Sequence, residues 1–314
     1  MQAAPLIATA AVPIPAGTRA FWFTGADGAR LRAAIAPAPG QARGSVVLSP
    51  GRTEPIEKYF EVAGELRQRG FTVLMHDWRG QGLSHRALPD RFKGHADGAA
   101  AYLADFDRLL DLAGPELPKP WILLGHSMGA AINALSLMAG ETRFAAAFFS
   151  APMMGLAAVR GMPQGAGLIA RSMIAAGRGA DYVLKDGFDP MLGPFESNIL
   201  THDAGRYERY REQLRACPDL ALGGPTWGWL AFALDCAARL SRPAAARAAA
   251  LPLAVVTAAE EHLVVNAPAR RYAARAANAC HVEIAGAYHE VFMETDARRA
   301  QVWRAFDALA DRAG

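Results

Sequence analysis

Short runs of bulky apolar residues alternate with amphipathic stretches from about residue 45 to residue 150, and this constrains the fold more than anything else in the chain. Ser45-Val46-Val47-Leu48, Phe71-Thr72-Val73-Leu74-Met75, Trp121-Ile122-Leu123-Leu124 and Ala145 to Ser150 are short, apolar and bounded by turn residues. That is the profile of strands buried on both faces. Residues 55–69, 96–113 and 128–140 lie between or after them and carry helical periodicity. Buried strands joined by helices predict a parallel sheet covered by helices on both faces. Upstream, Phe21-Trp22-Phe23 and Leu31 to Ile35 flank the turn Gly25 to Gly28 and predict a hairpin. The alternation resumes with a strand at 251–257, a helix near 267–277, a strand at 280–285 and a last helix at 295–313.

Residues 155–245 interrupt this order with helical stretches, many glycines and prolines, and no clear strand. The expected architecture is α/β, with a mostly parallel central sheet formed by residues 18–154 and 246–314. Residues 155–245 form an inserted helical cap over the strand ends, and the Ala- and Pro-rich residues 1–17 form a loosely ordered arm. At 314 residues the chain can bury roughly three quarters of its unfolded surface without disulfides.

Composition excludes several function classes. The net charge of +3 and the absence of long like-charge runs argue against a nucleic-acid binder. Arg270-Arg271 and Arg298-Arg299 read as solvated helix faces. Cys217, Cys236 and Cys280 are odd in number and lack metal-ligand spacing, so each reads as a small buried apolar residue in a reducing compartment. No metal or other cofactor is expected. Hydrophobic residues make up 52% of the chain, but alanine, about a fifth of it, inflates that figure. The most apolar stretch, Phe144 to Val159, is shorter than the ~20 residues a spanning helix needs and contains Ser150, Pro152 and Gly155. The N-terminus has no basic residue before Arg19, unlike a secretory signal. The expectation is a soluble cytoplasmic protein.

The candidate chemistry starts at Gly125-His126-Ser127-Met128-Gly129, a G-x-S-x-G pattern between a strand and a helix. A sharp strand-to-helix turn strains the serine backbone and exposes its oxygen at the top of a sheet. The helix N-terminus behind it favours negative charge developing nearby. A serine hydroxyl needs a base within hydrogen-bond reach. His289, in Gly286-Ala287-Tyr288-His289-Glu290, follows the last strand and lies downstream of Ser127, as the order serine, acid, histidine requires. His76 and His85 lie upstream, His126 sits inside the elbow, and His95, His202, His262 and His281 compete poorly. The acid should follow the strand at 251–257, where Ala258-Ala259-Glu260-Glu261-His262-Leu263-Val264 has no aspartate. Spacing alone leaves Glu260 and Glu261 open. An oxyanion hole needs two backbone N–H donors. Met128, after the serine, supplies one, and Arg52, in Ser49-Pro50-Gly51-Arg52-Thr53-Glu54, is the choice for the other. The Arg52 side chain could meet an anionic head group or pair with Glu54 or Glu57.

Together these residues resemble the α/β-hydrolase superfamily, and more narrowly its monoacylglycerol lipase and bacterial lysophospholipase branch, over about residues 20–312. The resemblance rests on Ser49 to Glu54, His76-Asp77-Trp78-Arg79-Gly80-Gln81-Gly82-Leu83-Ser84, the Gly125 to Gly129 elbow and Gly286 to Glu290. Asn198 to Asp203 with Arg206-Tyr207, and Gly223-Gly224-Pro225-Thr226-Trp227, look like the lysophospholipase subgroup, as does Pro50-Gly51 in place of His-Gly. The family acid motif resembles G-x-x-D-x-x-V. Laid on Ala258 to Val264, its acid position falls on Glu261, with glutamate replacing aspartate. The Arg79 to Ser84 loop is implied to be structural. The resemblance implies an ester hydrolase acting on a lysophospholipid or monoacylglycerol. Other acyl transfers on the same fold, such as peptidase or thioesterase activity, and a catalytically silent binder are the alternatives.

The cap carries Met162, Met173, Phe188, Met191, Phe195, Trp227, Trp229 and Phe232. These form either the cap's own small core or, in part, an acyl-chain pocket, for which Trp227 and Trp229 are the candidate substrate-binding residues. Peripheral membrane contact through the cap is compatible with a lipid substrate.

Overall fold

The computed structural model describes residues 2–184, 189, 191 and 193–313; Phe188 of the candidate pocket lies outside them. Strands β1 (Gln2–Ala3), β2 (Arg19–Thr24), β3 (Arg30–Ala36) and β4 (Gly44–Ser49) come first. They are followed by α1 (Phe60–Gln68), β5 (Phe71–His76), α2 (Ala99–Ala113), β6 (Trp121–His126), α3 (Met128–Met138) and β7 (Ala146–Ser150). Next come four helices, α4 (Pro163–Ala175), α5 (Ala204–Ala216), α6 (Trp227–Leu240) and α7 (Pro243–Ala248). The chain closes with β8 (Leu253–Ala258), α8 (Asn266–Arg275), β9 (Ala279–Ile284) and α9 (Asp296–Ala310).

The strands form one sheet of order β1-β2-β3-β5-β4-β6-β7-β8-β9, antiparallel through the β3–β5 pair and parallel from there on. The period of two decides which helices cover which face. Val47, Leu74, Leu123, Phe149 and Val255 point into one core with α2, α3 and α8. Val46, Val73, Leu124, Phe148 and Val256 point into the other with α1 and α9. β4 to β8 are buried throughout, which is why they read as continuous apolar runs. β9, at the parallel edge of the sheet, carries exposed residues.

Three expectations change. The N-terminal stretch is tied down: Gln2–Ala3 pairs with β2, the Pro5 carbonyl accepts from Arg32 Nη1 (3.0 Å), and Ile7 N donates to Glu57 Oε1 (3.2 Å). Arg299 is not solvated. It is 3% exposed and bonds Glu65 (3.0 Å from Nη1) and the Phe292 carbonyl (2.7 Å from Nε), closing α9 onto α1. Of the cysteines only Cys236 is buried; Cys280 is exposed on the edge strand, and Cys217 is intermediate.

Residues 155–245 contain no named strand among the described residues. They split into two environments. Trp229, Phe232, Ala233 and Cys236 on α6 join the main core cluster with α3, rather than a core of their own. α4 packs on α6 through buried Gly167 and Ala170, while Met162, Leu168, Ile169 and Ile174 stay exposed. Met191 packs against a third small cluster around Tyr210 and Leu220, and Phe195 meets Tyr207 edge-on.

Candidate active site

The site lies where the parallel strands end. The three non-glycine residues with positive φ, among those described, all sit there: Thr53 after β4, Ser127 after β6 and Ala151 after β7. Backbone strain of this kind persists only where the surrounding structure over-determines it. Ser127 caps α3 with φ 49° and ψ −114°, held by its own N–H donating to Ser150 O (2.9 Å) and its carbonyl accepting from Met153 N (3.0 Å) and Ala131 N (3.1 Å).

The flanking glycines are there because of what crowds them. A Cβ on Gly125 would lie 2.7 Å from Ala130 Cα, and one on Gly129 would lie 2.3 Å from the Ser49 carbonyl and 2.4 Å from the Pro50 carbonyl. The second contact shows that the loop after β4 rests directly on the elbow. Neighbours clamp that loop: Trp78 Nε1 donates to Pro50 O (2.8 Å) and Gln81 Nε2 to Gly51 O (2.7 Å). Asp77 holds the Trp78 to Gln81 turn by accepting from Leu83 N and Arg32 Nε. The Arg79 to Ser84 loop therefore shapes the site from behind.

His289 Nε2 is 2.9 Å from Ser127 Oγ, and His289 Nδ1 is 2.8 Å from Glu261 Oε2. Glu261 Oε1 accepts from Leu263 N (2.8 Å) and Val264 N (3.3 Å), which fixes the carboxylate. Glu260 points elsewhere: its side chain is about half exposed, and one of its carboxylate oxygens lies 3.7 Å from His202 Nε2. Of the two adjacent glutamates, only Glu261 reaches the imidazole.

Burial alone would lower the His289 pKa. The Glu261 carboxylate beside it and their hydrogen bond overcome this, and His289 sits above the ordinary imidazole value. Burial would likewise raise Glu261, but His289 and the two backbone N–H groups hold it below the ordinary carboxylate value. His126, whose ring centre is 4.9 Å from that of His289, is pushed down to about 4 by burial, so it stays neutral. Its Nδ1 pairs with Ser150 Oγ at 3.1 Å.

Met128 occupies the first turn of α3, where helix geometry leaves the N–H without an intrahelical acceptor. Arg52 follows Gly51 on the loop that rests on the elbow. Its side chain pairs with neither Glu54 nor Glu57, as Glu54 binds Lys58 (3.0 Å) and Glu57 binds Arg32 (2.7 Å). Instead the Arg52 guanidinium donates to the Gly223 carbonyl and lies over the Trp229 ring, 5.1 Å from its centre. Trp229 is thereby placed next to the loop after β4. Trp227, half-buried at the start of α6, donates its backbone N–H to the Asp181 carbonyl (3.1 Å).

One group escaped the sequence reading. Glu54, Lys58 and Glu290 form a buried ion cluster directly beneath the site. The i,i+4 spacing of Glu54 and Lys58 was the available signal.

Residues 40–296 match the family model Hydrolase_4, described as serine aminopeptidase, S33. Lysophospholipase L2 of Escherichia coli is 33% identical over 293 residues, covering 88% of this chain and 83% of that relative. Probable lysophospholipase L2 of Haemophilus influenzae is 31% identical over 258 residues, covering 82% and 80%. Among solved structures, a soluble variant of monoglyceride lipase from Saccharomyces cerevisiae superposes with a TM-score of 0.70 at 18% identity, covering 94% of this chain and 96% of that one. At that identity the likeness is one of α/β-hydrolase fold.

Proposed function

For a chain that belongs to the Hydrolase_4 family of α/β-hydrolases, we propose that it is a carboxylic ester hydrolase of acyl lipids, working through an acyl-enzyme on Ser127. The observation that carries this reading is the unbroken row Ser127–His289–Glu261, at 2.9 and 2.8 Å on a strained elbow. Ser127 Oγ attacks the acyl carbonyl while His289 Nε2 takes its proton. Glu261 holds the Nδ1–H tautomer and stabilises the imidazolium that forms. The N–H groups of Met128 and Arg52 receive the oxyanion. His289 then protonates the leaving alcohol, activates water against the acyl-enzyme and releases the fatty acid. In this reading, residues 155–245 act as a cap that covers the site, and Trp229 and Trp227 border the acyl chain.

The substrate is a lysophospholipid or a monoacylglycerol. The two lysophospholipase relatives, each covered over most of its length, support the first. The cap supports contact with a lipid surface. Between residues 156 and 180 it carries Arg160, Arg171 and Arg178, no acidic residue, and the exposed Met162, Leu168, Ile169 and Ile174. Apolar side chains beside arginines suit the boundary of an anionic membrane. No helix among the described residues is long and apolar enough to cross a membrane.

The test is a substrate panel of lysophospholipids, monoacylglycerols, short esters and an aminoacyl nitroanilide. Fastest turnover of a long-chain lysolipid, lost in Ser127→Ala, supports the proposal. Preferred cleavage of the nitroanilide would favour the aminopeptidase activity in the family's description.

A further inference from the structure

Beneath the loop that carries Arg52, three ionisable side chains are packed out of water. Glu54 and Lys58 are each 3% exposed at the side chain, and Glu290 is 8% exposed. Lys58 Nζ reaches Glu54 Oε1 at 3.0 Å and also bonds Glu290 Oε1. Burying charged groups is expensive, and such a cluster is weak evidence for stability. Its attachments suggest another reason for its presence.

Glu54 Oε2 accepts from Gly51 N (2.6 Å), the peptide just before Arg52, and from Tyr59 OH (2.6 Å). A Cβ on Gly51 would lie 2.6 Å from that same carboxylate oxygen, so the loop is drawn down onto Glu54. Glu290 directly follows His289, and its N–H donates to Leu200 O at 2.9 Å. The ammonium therefore ties the loop of Gly51 and Arg52 to the loop of His289, through a bond between residues 232 apart in sequence, Lys58 and Glu290. A third element closes the cluster. The Tyr210 ring of α5 lies 4.7 Å from Lys58 Nζ, and its hydroxyl donates to the Thr53 carbonyl.

We infer that Lys58, bridging Glu54 and Glu290, is a positioning residue that sets the oxyanion loop against the His289 loop. The inference rests on the reading of Ser127 as nucleophile and of the Gly51–Arg52 loop as an oxyanion donor. Lys58 touches no reacting atom; it acts through Glu54 on the peptide before Arg52. Its loss lowers stabilisation of the tetrahedral intermediate and leaves ground-state binding in place.

The experiment uses the full chain, with a fluorophosphonate to count competent Ser127 sites and a p-nitrophenyl ester for turnover. Lys58→Met should lower kcat per competent site by roughly 10²-fold, the scale of a lost oxyanion donor, with KM within about twofold. Affinity for a trifluoromethyl ketone, which forms a tetrahedral adduct, should fall in parallel with kcat/KM. Glu54→Gln, which keeps the shape and removes the charge, should fall in the same direction, and it stands in if Lys58→Met does not fold. A purely structural role would reduce the number of labelled sites and leave kcat per site unchanged. Turnover per site and ketone affinity within about twofold of the parent in a folded variant of either kind would overturn the inference. Absence of fluorophosphonate labelling at Ser127 in the parent protein would instead sink the catalytic reading on which it rests.

Discussion

The sheet core and the four-helix insertion solve opposite problems with similar proportions of apolar residue. In the core, β4 to β8 are buried along their whole length and feed Ser127, the acid loop and the loop of Arg52 to one edge. In the insertion, α6 is anchored in that core, while α4 leaves Leu168, Ile169 and Met162 at 62%, 49% and 66% exposure. Rigid burial places atoms to fractions of an ångström, as catalysis needs. An exposed apolar helix contributes little to folding, and in the proposed reading it meets a lipid surface. Substitutions in the two regions should therefore separate activity from stability and from membrane contact.

The largest effect should come from the row of three. Ser127→Ala or His289→Ala should cut kcat by roughly 10⁴-fold or more with little change in thermal unfolding, as read by ester hydrolysis and calorimetry. Glu261→Gln should cost about 10⁴-fold, because the amide cannot hold the Nδ1–H tautomer. It should also shift the acid limb of kcat/KM. With Glu261 present, the His289 pKa is raised, so activity falls as the pH drops through a value above ordinary imidazole. Removing the carboxylate lets burial dominate, and the limb should move to lower pH. A limb that stays in place would mean that Glu261 does not set the His289 charge.

Glycines give the next contrast. Gly129→Ala forces a Cβ against the Ser49 and Pro50 carbonyls and should destabilise by about 1–3 kcal/mol while impairing turnover. Gly165→Ala in α4 meets only Met162 side-chain atoms, at 3.7 and 3.8 Å, and should stabilise by roughly 0.5–1 kcal/mol with turnover unchanged. Equal effects at the two positions would erase the distinction between core and insertion. The smallest change in solution is expected for Leu168→Ser with Ile169→Ser. Unfolding temperature and hydrolysis of a water-soluble ester should hold, while co-sedimentation with anionic vesicles falls.

Much of the core was legible because its rules are local. A strand buried on both faces announces itself by a run such as Val46-Val47-Leu48, and a nucleophile elbow by glycines around a serine between strand and helix. The choice between Glu260 and Glu261 was different. Neighbours in sequence diverge in space, and only the backbone turn at Leu263 and Val264 points one of them at His289. Burial of Arg299, the Arg52–Trp229 contact and the Lys58 bridge to Glu290 were not legible. Each depends on partners far along the chain, and a charged residue carries no local mark of being buried. The N-terminal stretch misled for the same reason, since its anchors are Arg32, Glu57 and β2.

The central claim, an acyl-enzyme on Ser127, can be tested by rapid-quench turnover of a long-chain p-nitrophenyl ester followed by peptide mapping. The account predicts a burst of nitrophenol stoichiometric with protein, with the acyl group on the peptide containing Ser127. Turnover without any acylated peptide, or with the acyl group on another residue, would contradict it.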